Sequence, residues 1–194
     1  ELKKYVRLHS SKFYYEERSR RRKRAHTRAA QFIYLNRTCF NGLYRENKKG
    51  QFNVPLGQKT SILKPDDDFE GVSKALMNIE IRCQDFGKSI CSAGRDDFVF
   101  VDPPYTVAHN ENGFIEYNQK IFSWDDQVRL KQCISEALGR GAVVFLTNAN
   151  HHSIIDLYAD IGTPFIIPRD SRISGKIKGR GKSTEVLYRF GLTD

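Results

Sequence analysis

The residues of this chain best equipped for chemistry are Asp102-Pro103-Pro104-Tyr105. They follow a short apolar run, Phe98-Val99-Phe100-Val101, which reads as a buried strand of the parallel type. Two consecutive prolines cannot extend a ladder, because each lacks an N–H and fixes φ. The strand must therefore stop, leaving an acid, a rigid carbonyl-bearing elbow and an aromatic ring at its carboxyl end. In open α/β sheets that edge is where ligands bind. A carboxylate beside the Pro103 carbonyl offers two acceptors for the two protons of an exocyclic amino group. Tyr105 supplies a flat face for a planar ring.

The elements needed to position that tetrapeptide can be read on either side of it. Ile79 to Cys83 reads as a short strand and Phe98 to Val101 as the strand feeding Asp102. Ser123 opens a helix: Ser-x-x-Asp forms a capping box, and Asp125 and Asp126 sit in the positively polarised first turn. Ala142 to Leu146 is a buried strand, His152 to Ala159 a helix, and Phe165 to Pro168 and Glu185 to Phe190 are strands. Strands alternating with helices predict a mostly parallel α/β sheet covered on both faces.

Upstream, residues 1 to 36 read as mostly helical. From Asn36 to Gly57 the composition shifts to Asn, Gly, Arg and aromatic residues, and Asn47-Lys48-Lys49-Gly50 marks the basic tip of a hairpin. Pro65 to Asp68 reads as a connector and helix start, with Ser73 to Asn78 helical. At 194 residues the chain suits one domain or one with a modest insertion. The expected division is a helical and hairpin region over 1–65 and a catalytic α/β region over 66–194.

Thirty-two Lys and Arg against 23 Asp and Glu leave a net charge of +9, which points to a polyanionic partner. The excess clusters: seven of the basic residues lie between Arg18 and Arg28. A solvated helix face and a phosphate-binding surface fit that run equally well. No apolar stretch reaches the length of a membrane span, and no signal peptide is visible. Cys39, Cys83, Cys91 and Cys133 lie far apart, without metal-ligand spacing, and read as reduced thiols; the expected metal set is none. The loop from Gly175 to Ser183 misses the P-loop glycine spacing by one residue, so a mobile basic loop fits it better than an NTPase site.

Taken together, these segments resemble the Dam-type (D12 class) site-specific DNA adenine-N6 methyltransferases. Asn36-Arg37, Phe40-Asn41-Gly42-Leu43-x-Arg45-x-Asn47 and Gly50-x-Phe52-Asn53-Val54-Pro55-x-Gly57 look like that family's DNA-recognition hairpin. Asp102-Pro103-Pro104-Tyr105 matches its catalytic motif. Phe114-x-x-Tyr117, Phe122 and Gln127-x-x-Leu130 resemble the segment and helix that follow, with weaker matches at Leu146-Thr147-Asn148 and Arg172-Ile173-Ser174. The family's amino-terminal Gly-Gly-Lys and Phe-x-Gly-x-Gly cofactor segments have no counterpart here, so the chain looks like a member lacking that part.

The resemblance implies a Rossmann-like S-adenosylmethionine-dependent methyltransferase sheet, incomplete on its amino-terminal side, with a helical and β-hairpin region that recognises double-stranded DNA. It implies methyl transfer from S-adenosyl-L-methionine to N6 of an adenine flipped out of the duplex, since a base inside the stack cannot reach such a pocket. Asp102, Pro103, Pro104 and Tyr105 would be catalytic, with Asp102 and Tyr105 also touching the cofactor. Phe114, Tyr117 and Phe122 either close over the base or serve as packing. In the hairpin, Arg45 is the candidate for a bidentate guanine contact and Asn41 or Asn47 for other base edges. Phe40, Leu43 and Pro55 offer apolar contacts, and Arg37, Lys48, Lys49 and the 18–28 run face phosphates. The expected setting is the cytoplasm of a bacterium or of a phage host, in a restriction-modification context. Two alternatives remain at this level: a catalytically inactive DNA-binding remnant, and an amino-methyltransferase acting on cytosine N4.

Overall fold

The computed structural model describes residues 1–47, 49–107, 122–170 and 182–192. The chain divides into two compact units, Glu1–Glu80 and Ile81–Asp194.

The first unit is built on three helices, α1 (Leu2–Leu8), α2 (Ser11–Ser19) and α3 (Ala25–Thr38). Ser10 caps α2 by accepting the Phe13 N–H at 3.1 Å, which stops α1 and α2 from merging. The three helices share a core of tyrosines. Tyr5 and Tyr34 meet edge to face at 5.2 Å, and Phe13 packs edge-on against both rings. Edge-to-face pairing suits the aromatic quadrupole and leaves the hydroxyls free to bond. Tyr14 uses its hydroxyl to donate to the Val54 carbonyl at 2.9 Å, fastening α2 to the hairpin.

α3 ends in a tight 3₁₀ turn over Phe40–Gly42, where Asn41 (φ 57°) and Gly42 (φ 65°) are both left-handed. Asn and Gly tolerate that region at low steric cost, so the pair reverses the chain into the hairpin. The hairpin itself is present. Cys39 bridges Leu56 and Glu46 bridges Phe52, both antiparallel, and Asn53 N–H donates to the Arg45 carbonyl at 3.1 Å. Short helix α4 (Phe69–Ala75) starts earlier than the expected Ser73, because Asp68 caps it through the Gly71 N–H at 2.7 Å. Asp67, just before it, pairs with Arg37 at the end of α3, which draws residues 66–80 into this unit.

In the second unit α5 (Phe86–Cys91) precedes β1 (Phe98–Val101), followed by α6 (Trp124–Gly139), β2 (Val143–Ala149), α7 (His152–Tyr158), β3 (Phe165–Asp170) and β4 (Lys182–Phe190). The capping box at the start of α6 forms as expected, with Ser123 and Asp126 bonding each other's backbone N–H. Residues 79–83 form no strand: Ile79 and Ile81 are exposed, and alternation without a neighbouring strand to pair with yields no ladder.

Strand order is β1-β2-β4-β3, and only β1 and β2 run parallel; β4 is antiparallel to both β2 and β3. The expectation of a mostly parallel sheet is therefore corrected to a mixed one. Parallel neighbours need a long crossover, usually a helix. The sequence between β3 and β4 is rich in Gly, Lys and Ser and has no helical pattern, so β4 returns antiparallel.

Coverage on both faces is corrected as well. Val144, Leu146, Val186, Tyr188 and Phe190 are buried against Leu130, Ile134, Ala137, Ile154 and Tyr158 of α6 and α7. On the opposite face Phe98 and Phe100 of β1 and Phe165 of β3 stand half exposed or more among the described residues. Among the described residues no helix is long and apolar enough to cross a membrane.

Candidate active site

Asp102 continues the side-chain alternation of Phe98 and Phe100, so it emerges on the open face of the sheet at the end of β1. In the β1–β2 register the next pair after Val101 and Leu146 is Asp102 and Thr147. The Thr147 hydroxyl donates to Asp102 Oδ1 at 2.8 Å and lies 3.5 Å from the Val101 carbonyl. Asp102 and Pro104 are exposed, and Pro103 and Tyr105 are half-buried. Among the described residues Oδ1 of Asp102 takes the threonine, which leaves Oδ2 for a ligand.

Tyr105 lies beside the same threonine. Burial raises its hydroxyl above the ordinary tyrosine range, with the negative charges of Glu185 and Asp102 adding to the effect and the Thr147 hydrogen bond opposing it. Glu185 of β4 pairs with Arg169 of β3, and that bond holds the Arg169 guanidinium above its usual value. Tyr105, beside both Thr147 and Glu185, thus links the Asp102–Thr147 pair to the Glu185–Arg169 pair in one polar row.

Behind this row the tetrapeptide is held by neutral polar groups. Thr106 follows Tyr105 directly and is fully buried; its hydroxyl donates to the Phe122 carbonyl at 2.7 Å. Gln127 of α6, also fully buried, donates to the Thr106 carbonyl at 3.2 Å and accepts from the Asn148 amide at 3.2 Å. The Asn148 Oδ1 accepts its neighbour Ala149 N–H at 2.9 Å. Buried amides are costly when unpaired, so this network fixes the Tyr105–Thr106 peptide against α6 and β2.

The structure brings Asp102, Pro103, Pro104 and Tyr105 together at one rim. Sequence reading overlooked Glu185 and Arg169, and it marked Gln127 and Asn148 only as positions of family resemblance, without their pairing. Thr147 was visible only within the weaker family match Leu146-Thr147-Asn148. Phe122 is buried and packs on Phe86 at 5.6 Å, which makes it a packing residue. Phe114, Tyr117, Arg172 to Ser174 and the 175–181 glycines lie outside the described residues, as does Lys48.

In the first unit, Phe40, Asn41, Leu43, Arg45, Lys49 and Pro55 are exposed on the hairpin. Asn53 Oδ1 accepts from Arg45 Nε at 2.9 Å, so the guanidinium is aligned along the hairpin with its outer edge outward. Asn47 is spent on the turn: its Oδ1 accepts the Lys49 and Gln51 N–H groups and its Nδ2 donates to Gln51. Arg37 is also committed, bonding Asp67 through Nη2 at 2.8 Å and through Nη1, which also reaches the Ile62 carbonyl. These bonds engage three of the five donors of Arg37 and one of the two amide hydrogens of Asn47.

Comparison with known proteins adds the family. The model of the D12 class N6 adenine-specific DNA methyltransferases matches residues 1–172. The chain is 38% identical over 164 residues to a type II methyltransferase of Lactococcus lactis subsp. cremoris, covering 82% of this chain and 57% of that protein. It is 32% identical over 165 residues to a DNA adenine methylase of Vibrio cholerae, covering 84% and 59%. It is 42% identical over 123 residues to a type II methyltransferase of Methanocaldococcus jannaschii, covering 63% and 43%. This chain belongs to the D12 class of N6 adenine-specific DNA methyltransferases. It spans three fifths or less of the length of these relatives.

Proposed function

We propose that this chain carries the amine-activating site of a site-specific DNA adenine-N6 methyltransferase with a Rossmann-like sheet, acting on double-stranded DNA through the hairpin region. The observation that carries this reading is an exposed carboxylate, Asp102, locked between two prolines and a threonine at the open rim of the sheet.

The N6 amine of adenine is a poor nucleophile because its lone pair is delocalised into the ring. Asp102 Oδ2 and the Pro103 carbonyl would each accept one N6 hydrogen, drawing the nitrogen toward a pyramidal geometry with its lone pair directed outward. Tyr105 would stack on the extruded base. The rate gain is orientation plus electrostatic stabilisation of the positive charge that grows on nitrogen. S-adenosyl-L-methionine, when bound, supplies an electrophilic methyl on a sulfonium sulfur. An open rim with an acid beside a half-buried aromatic ring fits such a ligand, and Asp102 and Tyr105 would be the residues touching it. Methylation would leave the amine nitrogen positively charged, and its surplus proton would pass to water past the exposed Asp102 carboxylate.

For readout, Arg45 would address a guanine edge, and Asn41 other base edges. Phe40, Leu43 and Pro55 would make apolar contacts, and Lys48 and Lys49 would meet phosphates. Arg37 and Asn47 would act by bracing the region.

The test is transfer of labelled methyl groups to duplex DNA by the protein made from its whole reading frame, followed by nucleoside digestion. Label in N6-methyl-2′-deoxyadenosine that disappears with Asp102→Ala, while DNA binding persists, supports the reading. Label in N4-methylcytosine, or transfer indifferent to Asp102→Ala, overturns it.

A further inference from the structure

The first unit contains a groove of about 970 Å³ whose lining includes no carboxylate among the described residues. One wall comes from the end of α2, the α2–α3 connector and the start of α3: Arg18, Arg20, Arg21, Arg22 and Arg28. The other side is aromatic and amide: Phe32, Tyr44 and Phe52, with Asn47, Gln51 and Asn53.

Both sides are built in advance. Glu17, fully buried, accepts from Arg22 Nε at 2.7 Å and Nη2 at 2.6 Å and from the Tyr5 hydroxyl at 3.0 Å, which pins the connector at its middle. Gln31 of α3 donates to the Glu17 and Arg20 carbonyls at 2.7 Å each, holding the connector against the helix. Among the described residues no acid pairs with Arg21 or Arg28. On the floor, Phe32, Tyr44 and Phe52 form a ladder with ring centroids 5.1 and 4.9 Å apart. Phe32 remains 52% exposed and Tyr44 41% exposed.

We infer that this groove binds an unpaired stretch of DNA strand, its phosphates on Arg21 and Arg28 and a base stacked on the Phe32 ring. The flank of an intact duplex offers phosphates and no free base faces, so it would occupy the arginines and leave the aromatic ladder in water. A single strand uses both sides of the groove, because every base has a π-face and stacking tolerates any sequence. This rests on the DNA reading above but concerns a different part of the chain, and it calls for no chemistry at Asp102.

Fluorescence anisotropy with a labelled oligothymidylate and with a random-sequence duplex tests it directly. Phe32→Ala should weaken oligothymidylate binding roughly 5- to 100-fold and leave duplex binding within about twofold. Phe32→Trp should restore the single-strand affinity. Arg21→Ala and Arg28→Ala should each reduce the salt slope of single-strand binding by about 0.7. If Phe32→Ala fails to fold, as judged by its melting curve, Phe32→Leu, which keeps bulk without a π-face, takes its place with the same expected loss. Duplex binding without oligothymidylate binding, or equal losses on both DNAs, overturns the groove assignment alone. Failure to bind either DNA overturns it together with the DNA reading.

Discussion

Thr147 and Asp102 face each other across the only parallel strand pair among the described residues, hydroxyl to carboxylate at 2.8 Å. The bond occupies Oδ1 and so decides which oxygen of Asp102 meets a substrate amine. Thr147→Val keeps the shape and removes the donor. Its kcat for methyl transfer should fall roughly 10- to 100-fold with little change in KM for DNA, since hydrogen bonds to a charged group carry about 1.5–3 kcal/mol. Steady-state kinetics at saturating DNA would show the split, and an unchanged kcat would remove Thr147 from the site.

The amide pair behind the tetrapeptide should matter for both stability and rate. Gln127→Leu deletes the donor to the Thr106 carbonyl and leaves the buried Asn148 amide without its partner. The expected cost is about 1–3 kcal/mol in a urea melt, with a loss of transfer rate larger than the loss of folded protein explains.

The Arg37–Asp67 pair makes the first unit acid-sensitive. The Arg37 hydrogen bond holds the Asp67 carboxyl down to about 2, below the roughly 3.9 of an unfolded aspartate. A depressed folded value means that the contribution is fully present above the unfolded value and is lost as the pH falls from about 4 toward 2. Asp67→Asn should lower the melting temperature at neutral pH and flatten the acid limb in that window. Circular dichroism melts across the range check the sign.

Tyr188 carries a buried hydroxyl with no hydrogen-bond partner among the described residues, and burial lifts its pKa to about 12. Tyr188→Phe removes the unpaired group without changing the ring stack with Phe190, and should stabilise the protein by about 1 kcal/mol. A lower melting temperature would reveal a partner for that hydroxyl.

Arg45 is the sharpest test of the hairpin. Arg45→Ala should cost about 1–3 kcal/mol of binding to the recognised duplex and relax the preference at one base pair. Binding to a panel of single-base variants would show that relaxation. A uniform loss across the panel would instead make Arg45 a phosphate contact.

Local order was legible where neighbours along the chain suffice. The β1 run, its proline stop, the Ser123 capping box and the Asn41-Gly42 reversal each depend on residues a few positions apart, and each is present. The 79–83 strand failed because pairing requires a distant partner that alternation cannot supply. The direction of β4 was recoverable only from the missing helical pattern before it.

Sequence by itself determined that this chain has a proline-locked acid at a strand end, a basic hairpin, and the family in which those features occur together. Only the tertiary structure decided which polar groups are spoken for. Arg37 and Asn47 look like DNA contacts in one dimension, yet Asp67, the Ile62 carbonyl and the hairpin turn already hold them. Nothing local pairs Thr147, Glu185, Gln127 and Asn148 with their partners, and strand register together with burial brings them around Asp102 and Tyr105. The reason is physical: a turn or a cap is satisfied within a few residues, whereas a side chain's partner across a sheet is fixed by register, which depends on the whole fold.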